Sequence, residues 1–265
     1  MKASHDTLID LRDATVVHAR RPLLIAHRGG VIAPNAPENS LAAIRLAAEC
    51  GYDLVELDVT RSSDGQPVLF HDYHDNLLTN CGLDLQVTAL TAAELTTIRY
   101  RATTETIATL AQALALCQQL HLGVMLDIKE RGAQPPTEDF VARIATLLHD
   151  YSMTSSALSA TSNVVAREGL GDYVLLSVLR DDALAIQHGR ALDATGQFWF
   201  ELPEHVPDTA IPRLHASGAL VLPAINTFRY LTHAHHALAQ ADTTRLLRAG
   251  VDGVQIDSTY RAFFH

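Results

Sequence analysis

The feature that most constrains the fold is a repeated alternation between short apolar runs and longer segments of helical periodicity. Short apolar runs rich in β-branched residues are typical of buried strands, and intervening helices connect strands that run in parallel. The chain contains eight such runs, at residues 23–27, 54–60, 122–129, 157–161, 173–178, 197–202, 219–225 and 253–257. Eight strands with intervening helices predict a TIM (β/α)8 barrel.

Capping signals mark several of the segments between the runs. Residues 40–50 show helical periodicity, and a glycine follows them directly. Thr109 and Gln112 have the spacing of a capping box, and Thr91 and Glu94 have the same spacing further upstream. A helix start is therefore predicted at each of these pairs.

A ninth apolar run, at residues 67–71, follows the second strand after the short connection SSDGQ. A connection of this length permits a hairpin but not a parallel crossover. Residues 73–101 contain no predicted barrel strand, so we expect a small insertion after the second strand. Since no linker composition divides the chain, a single domain is predicted over residues 1–265.

Charge and cysteine content exclude several classes of protein. The net charge of −10 disfavours nucleic-acid binding through bulk charge. The three cysteines are odd in number and lack CxxC spacing, which predicts neither a disulfide framework nor a zinc ribbon. A reducing, cytoplasmic compartment is expected, because charged residues also interrupt the N-terminal segment where a signal peptide needs an apolar run. Sequence leaves the oligomeric state open.

One uncharged segment is long enough to be considered as a membrane span. Residues 107–126 lack Asp, Glu, Lys and Arg, but they contain Gln112, Gln118, Gln119 and His121. A hydrocarbon environment disfavours these polar side chains. We interpret the segment as a helix followed by a buried strand, and we expect no stable membrane insertion.

Acidic residues recur at the ends of two predicted strands. Glu56 and Asp58 are two residues apart in LVELDVT and therefore share one face, as do Asp127 and Lys129 in LDIK. Taken alone, the first pair fits an edge strand with a solvated face equally well. The second pair favours a site, because barrel enzymes carry their sites at the C-terminal ends of the strands.

Three converging carboxylates, Glu56, Asp58 and Asp127, would repel one another unless they were protonated or bound a cation. Ligands that are all oxygen favour a hard ion, so the sequence predicts one divalent cation, Mg²⁺ or Ca²⁺. With Lys129 and Arg28 included, the local charge comes to about +1, which suits a monoanionic phosphodiester.

Two histidines end predicted strands beside this cluster. His27 ends the first run and His71 ends the ninth. A single histidine is more often structural than catalytic, but a pair beside carboxylates predicts one general acid and one general base. Asp72 either orients one of them or caps the turn. Gly29 and Gly30 allow close approach to a phosphate.

The segments HRGG, PENSLAAIRLAAECGYDLVELDV, DGQPVLFHD, LDIK and AGVDGVQID together resemble the glycerophosphodiester phosphodiesterase family, over about residues 23–257. The resemblance implies a TIM barrel that hydrolyses glycerophosphodiesters to glycerol 3-phosphate and an alcohol with a divalent cation. By position, the implied roles are acid and base for His27 and His71, metal ligands for Glu56 and Asp58, and phosphate contacts for Arg28 and Lys129.

The chain departs from the family pattern in two strands. Asp127 stands where family members usually have Glu, and its shorter reach could loosen the metal or admit an extra water. The family's Trp-Thr-Val-Asn is here the PAIN of residues 223–226, without the aromatic residue. Trp199 and Glu201 share a face of the sixth predicted strand and could supply the alcohol pocket instead, although core packing is the favoured role for Trp199.

Residues of the PENS segment have predicted roles too: Asn39 or Ser40 is expected to cap the following helix, and Glu38 to hydrogen-bond near His27. The sequence leaves open whether the nucleophile is water or the substrate's own glycerol hydroxyl. Two rival functions are considered. A phospholipase D-like enzyme acting on lysophospholipids or sphingolipids fits the Asp-x-Lys, which related sphingomyelinase D-type phospholipases share. A non-catalytic phosphate-binding barrel fits poorly, because His27, Glu56, Asp58 and His71 are all present, but Asp127 in place of Glu leaves this alternative open.

Overall fold

The computed structural model describes residues 7–71, 76–129, 135–230 and 233–264. Its strands are β1 (Leu23–Ala26), β2 (Leu54–Arg61), β3 (Pro67–Leu69), β4 (Gly123–Ile128), β5 (Ala157–Ser159), β6 (Leu175–Ser177), β7 (Gln197–Trp199), β8 (Leu220–Val221), β9 (Ala224–Ile225) and β10 (Gly253–Ile256). They form one sheet in the order β8-β7-β6-β5-β4-β2-β1-β10-β9, with β3 attached to β2. All pairings are parallel except that of β2 with β3.

The predicted seventh strand is broken at Pro223 and closes the barrel. β8 pairs with β7, and β9 pairs with β10. Between them, the Leu222 amide donates to the Trp199 carbonyl at 2.9 Å, and the Gln255 amide donates to the Pro223 carbonyl at 2.9 Å. Proline has no amide hydrogen, so the ladder is interrupted there although the chain continues along both neighbours. With β8 and β9 counted as one broken strand, the barrel has the eight predicted strands.

Helices cover the outside of the barrel. Their bounds are α1 (Ala14–Arg20), α2 (Leu41–Glu49), α3 (Leu78–Cys81), α4 (Ala92–Leu95), α5 (Leu110–Gln119), α6 (Glu138–Asp150), α7 (Val164–Leu170), α8 (Arg180–Gln187), α9 (Ile211–Ala216) and α10 (His235–Ala249). Both predicted capping boxes are present, at α4 and α5. Residues 107–126 contain α5 and the first part of β4, so the segment is a helix followed by a strand, as predicted. Among the helices of the described residues, none has the length and apolar character that a membrane span requires.

The predicted hairpin is confirmed by the antiparallel pairing of β3 with β2, in which Leu69 lies opposite Val59. A separate apolar cluster joins β3 to the segment that follows, through Val68, Phe70, Leu77, Val87, Ala92, Leu95, Tyr100 and Ile107. Part of the predicted insertion, residues 73–75, lies outside the described residues, and the single-domain organisation stays a prediction.

Apolar side chains close the N-terminal end of the barrel. Leu23, Leu54 and Met125 point into its interior and pack with Ile9 and Val17 from the segment that precedes β1. A second, larger cluster fills the space between the strands and the helices. The C-terminal end of the barrel is therefore the end that remains open for polar side chains.

Candidate active site

A cavity of about 440 Å³ opens at the C-terminal ends of the strands. The described residues that line it are His27, Arg28, Glu56, Asp58, His71, Met125, Asp127, Lys129, Ala160, Phe200, Glu201, Leu202, Ala224, Asn226, Phe228 and Gln255. The charged wall, contributed by β1 to β4 and the residues that follow them, consists of His27, Arg28, Glu56, Asp58, His71, Asp127 and Lys129. The aromatic wall, contributed by the ends of β7 and β9, consists of Phe200, Glu201, Leu202, Ala224 and Phe228.

The three predicted metal ligands converge on the charged wall. Carboxylate oxygens of Glu56, Asp58 and Asp127 all lie within 4.8 Å of one another. Glu56 and Asp58 are buried, and the Asp127 side chain is 50% exposed. Burial, and after it the charges of Asp58 and Asp127, raise the pKa of Glu56 well above its usual range. This excess of negative charge on an all-oxygen donor set fits a hard divalent cation.

Lys129 lies between two of these carboxylates. Its Nζ contacts Asp58 Oδ1 and donates to Asp127 Oδ2 at 2.5 Å. Burial opposes the charged form of Lys129, but the charges of Asp58, Asp127 and Glu56 outweigh it and raise the lysine's pKa. Burial also opposes ionisation of Asp58, yet Lys129 and His71 bring the Asp58 pKa below its ordinary value. The lysine therefore carries its positive charge inside the carboxylate cluster.

The loop after β1 is folded tightly against the end of β2. Asn39 Nδ2 donates to Asp58 Oδ2 at 2.7 Å, and the Asp58 amide donates back to Asn39 Oδ1 at 3.0 Å. The Arg28 amide donates to Glu56 Oε2 at 2.6 Å. A Cβ on Gly29, which has φ of 79°, would lie 2.4 Å from the Asn39 Cα. This glycine therefore permits the close approach of backbone to backbone that places both carboxylates.

The second glycine of the loop, Gly30, has the same role. A Cβ at Gly30 would lie 2.2 Å from the Ala43 carbonyl oxygen, at the start of α2. Of the two predicted capping residues, Ser40 caps α2, because its hydroxyl accepts from the Ala43 amide. The Asn39 side chain donates to Asp58 instead. The glycine pair thus serves the packing of the chain on itself, and its close approach to a phosphate stays a prediction.

His27 is held by a carboxylate that the sequence analysis did not single out. Its Nδ1 lies 2.5 Å from Asp257 Oδ1, directly after β10. Asp257 Oδ2 accepts from the Thr227 amide and hydroxyl, both at 2.6 Å. Burial opposes ionisation, but the bonds from His27 and Thr227 outweigh it and lower the Asp257 pKa. An ionised carboxylate only accepts, so Nδ1 carries the proton and Nε2 is the atom left for chemistry.

His71 lies on the other side of the carboxylates, beside Glu38. Its Nδ1 is 3.8 Å from Glu38 Oε1, and Glu38 Oε2 accepts from Arg28 at 3.0 Å. Asn80 donates to the His71 carbonyl at 3.2 Å. Burial lowers the His71 pKa, with Asp58 opposing. Glu38 therefore lies beside His71 and accepts from Arg28, the residue that follows His27. Its predicted hydrogen bond near His27 stays a prediction, and Asp72 lies outside the described residues.

The structure decides between the two roles considered for Trp199, the alcohol pocket and the favoured role of core packing. The prediction that Trp199 and Glu201 share a face assumes a strand that continues through both residues. Because β7 ends at Trp199, strand alternation does not extend to Glu201. Trp199 is 3% exposed in the cluster between strands and helices, while Phe200 and Glu201 line the cavity. Trp199 therefore packs in the core and does not form the pocket.

The cavity also has a polar floor. Asn226 Nδ2 donates to Gln255 Oε1 at 2.9 Å, and both side chains are 3% exposed. Asn226 Oδ1 is buried without a hydrogen-bond partner in the described structure. An amide oxygen in such a buried position has lost its hydrogen bond to water without gaining one within the fold.

Sequence reasoning placed seven of its eight site residues in one cavity, and Trp199 is the exception. Sequence reasoning did not identify the hydrogen bond between Asp257 and His27 or the one from Asn39 to Asp58. The signal for Asp257 was available, because barrel closure pairs the last strand with the first, which ends at His27. Asn39 gave no such signal, since only the folded loop reveals its partner.

Comparison with known proteins agrees with this geometry. Residues 27–260 match the model of the "Glycerophosphoryl diester phosphodiesterase family". A mouse protein, "Glycerophosphodiester phosphodiesterase 1", is 42% identical over 111 residues, which are 40% of this chain and 33% of the relative. A glycerophosphodiester phosphodiesterase of Caldanaerobacter subterraneus is 45% identical over 60 residues, or 23% of this chain and 24% of the relative. The chain thus covers about a third or less of the length of these curated relatives.

Solved structures share the fold over nearly the whole chain. A phosphodiesterase of Oleispira antarctica, in complex with the product sn-glycerol-3-phosphate, has a TM-score of 0.68 at 24% identity and covers 94% of this chain and 98% of its own. A putative glycerophosphoryl diester phosphodiesterase of Silicibacter pomeroyi has a TM-score of 0.69 at 19% identity, with 97% and 92% covered. Since the family model spans most of the sequence, from the histidine of the first strand to beyond β10, the chain belongs to the glycerophosphoryl diester phosphodiesterase family.

Proposed function

We propose that this chain hydrolyses glycerophosphodiesters to sn-glycerol 3-phosphate and an alcohol with the help of a divalent cation. The observation that carries the proposal is the convergence of two histidines and three carboxylates in one cavity. The family, the names of its relatives and the product held by the Oleispira antarctica protein support this substrate class.

The candidate cation ligands are Glu56, Asp58 and Asp127. When bound, Mg²⁺ or Ca²⁺ would supply positive charge that polarises the phosphoryl oxygens. Asn39 keeps Asp58 in place, and the Arg28 amide keeps Glu56 in place. The half-exposed Asp127 is the ligand with the greatest freedom to move.

Arg28 and Lys129 are the cations available to the phosphate. The Arg28 guanidinium is anchored on Glu38 and the Lys129 ammonium on Asp58 and Asp127, and all of these groups border the cavity or the loop beside it. Fixed cations stabilise the charge that develops on the phosphoryl oxygens, because they need no reorganisation during the reaction.

His27 and His71 are the proposed proton carriers. One accepts the proton of the attacking hydroxyl or water, and the other donates a proton to the oxygen of the departing alcohol. Asp257 fixes the His27 ring so that Nε2 is available for this exchange.

The test is an assay of the release of glycerol 3-phosphate and of the free alcohol from a panel of glycerophosphodiesters and lysophospholipids, with Mg²⁺, Ca²⁺ or a chelator. The proposal expects release from the glycerophosphodiesters that is lost with the chelator. Turnover of none of the panel would contradict it, and turnover of lysolipids alone would favour the phospholipase D-like rival. A cyclic phosphate formed on the way to glycerol 3-phosphate would identify the glycerol hydroxyl as the nucleophile. The cytoplasmic location stays a prediction.

A further inference from the structure

The aromatic wall carries a single formal charge, that of Glu201. The cations that line the cavity, Arg28 and Lys129 together with the two histidines, belong to the charged wall. β7, which leads to Glu201, lies across the barrel from β2, which carries Glu56 and Asp58. The cavity therefore presents fixed cations on one side and one carboxylate on the other.

Glu201 is not paired with a lysine or an arginine among the described residues. Its Oε2 accepts from the Leu202 amide at 3.3 Å and lies 3.1 Å from His205 Nδ1, and within the described part of the chain no hydrogen bond engages Oε1. The His205 side chain is 46% exposed and does not line the cavity. The nearby Arg229 pairs instead with Glu204. The described lining of the cavity therefore contains no fixed counter-ion for the Glu201 charge.

Two aromatic rings line the same cavity as this carboxylate. Phe228 is 51% exposed, and its ring centroid lies 6.4 Å from that of His27. Phe200 is held edge-on by Phe198, with ring centroids 6.4 Å apart. A carboxylate that shares a cavity with aromatic rings attracts a primary or quaternary ammonium group, through charge and cation–π attraction.

We propose that Phe200, Glu201 and Phe228 form a subsite for an ammonium group on the alcohol of the substrate. The inference rests on the proposed function and specifies its substrate class: diesters of cationic alcohols such as choline or ethanolamine are preferred over diesters of neutral alcohols. Such a zwitterion matches the cavity, with its phosphate on the charged wall and its ammonium group at Glu201. The contact of Phe228 with His27 places the departing alcohol beside a proton carrier.

The kinetic test compares glycerophosphocholine with glycerophosphoinositol as substrates of the full chain. Wild-type protein is expected to have the higher kcat/KM for glycerophosphocholine. Glu201→Gln is expected to lower that value about tenfold, the equivalent of one charged contact, and to change the value for glycerophosphoinositol less than twofold. Asp208→Asn is the matched control. Asp208 lies on the same connection between β7 and α9 as Glu201, but it pairs with Arg245 and does not line the cavity. Equal losses on both substrates, or none, would overturn the subsite.

A binding test separates failure of the subsite from failure of the proposed function. Calorimetry with glycerophosphocholine on the His27→Ala protein needs no turnover, and adding Glu201→Gln is expected to raise Kd about tenfold. If Glu201 governs binding but wild-type protein releases no glycerol 3-phosphate, the subsite stands and the hydrolytic function fails. If release occurs but binding is indifferent to Glu201, the hydrolytic function stands and the subsite is wrong.

Discussion

The charged wall and the aromatic wall of the cavity are built in different ways. On the charged wall, side chains at strand ends are fixed by short hydrogen bonds to partners from neighbouring segments, as Asp58 is by Asn39 and His27 by Asp257. On the aromatic wall, Phe200 and Glu201 follow the last residue of β7, and Phe228 lies in a short 3-10 turn after β9. Hydrogen bonds between polar groups hold the side chains of the charged wall in place. The position of the aromatic wall is set by the residues at which β7 and β9 end.

This contrast divides the expected chemistry. A network that fixes charges and proton carriers is what catalysis of phosphodiester cleavage requires, because preorganised charge acts without reorganisation. The aromatic wall, with its rings and one carboxylate, does not need such exact placement of charges. We expect it to contribute to the selection of the substrate's alcohol. Substitutions on the charged wall should therefore affect all substrates alike, whereas those on the aromatic wall should depend on the alcohol.

The largest effect is expected from the histidines of the charged wall. His27→Ala and His71→Ala are each expected to lower kcat/KM for every glycerophosphodiester by about 10³-fold, since each removes a proton carrier. The measurement is release of glycerol 3-phosphate at saturating Mg²⁺ or Ca²⁺. His149→Ala, on a 76% exposed side chain at the end of α6, is the control and should leave the rate unchanged. Retention of more than a tenth of the wild-type kcat/KM by either variant would remove that histidine from the mechanism.

A smaller loss is expected when the support of His27 is weakened. Asp257→Asn preserves the shape of the side chain but removes the charge that fixes the protonated Nδ1, so kcat should fall by about 10²-fold while KM changes little. Asp257 acts through His27 and is a positioning residue. Steady-state kinetics on two diesters with different alcohols provides the measurement. A change confined to KM, or a loss for one alcohol only, would place Asp257 in substrate binding.

The carboxylate cluster predicts opposite effects on stability and function. Glu56→Gln removes one of three converging negative charges and keeps an oxygen for the Arg28 amide, so the metal-free protein is expected to gain about 1–2 kcal/mol in the free energy of unfolding. The same variant should lose most of its stabilisation by added Mg²⁺ or Ca²⁺. Denaturant unfolding with and without the cation measures both. A destabilised metal-free variant would show that the negative charge of Glu56 is already balanced within the protein.

Much of the fold and of the charged wall could be predicted because both follow from strand periodicity. The faces of Glu56, Asp58 and Asp127 are fixed by alternation within β2 and β4, which are paired over six residues. Barrel closure then brings the ends of these strands to one mouth. What could not be predicted lies where periodicity ends: the strand break at Pro223, the early end of β7 and the folding of Asn39 onto Asp58.

The smallest effect is expected from Trp199, which is adjacent to the aromatic wall in sequence but faces away from the cavity. Trp199→Phe should leave kcat/KM for all glycerophosphodiesters unchanged within about twofold, because Phe200 and Glu201 keep their places in the wall. Its free energy of unfolding should fall by about 1–2 kcal/mol, since the loss of buried ring volume is partly offset by removal of an indole N–H that has no partner in the described structure. Kinetics on a choline and an inositol diester, together with denaturant unfolding, tests both halves of this expectation. A loss of activity that depends on the alcohol, at an unchanged free energy of unfolding, would show that Trp199 contributes to the alcohol pocket and belongs to the aromatic wall.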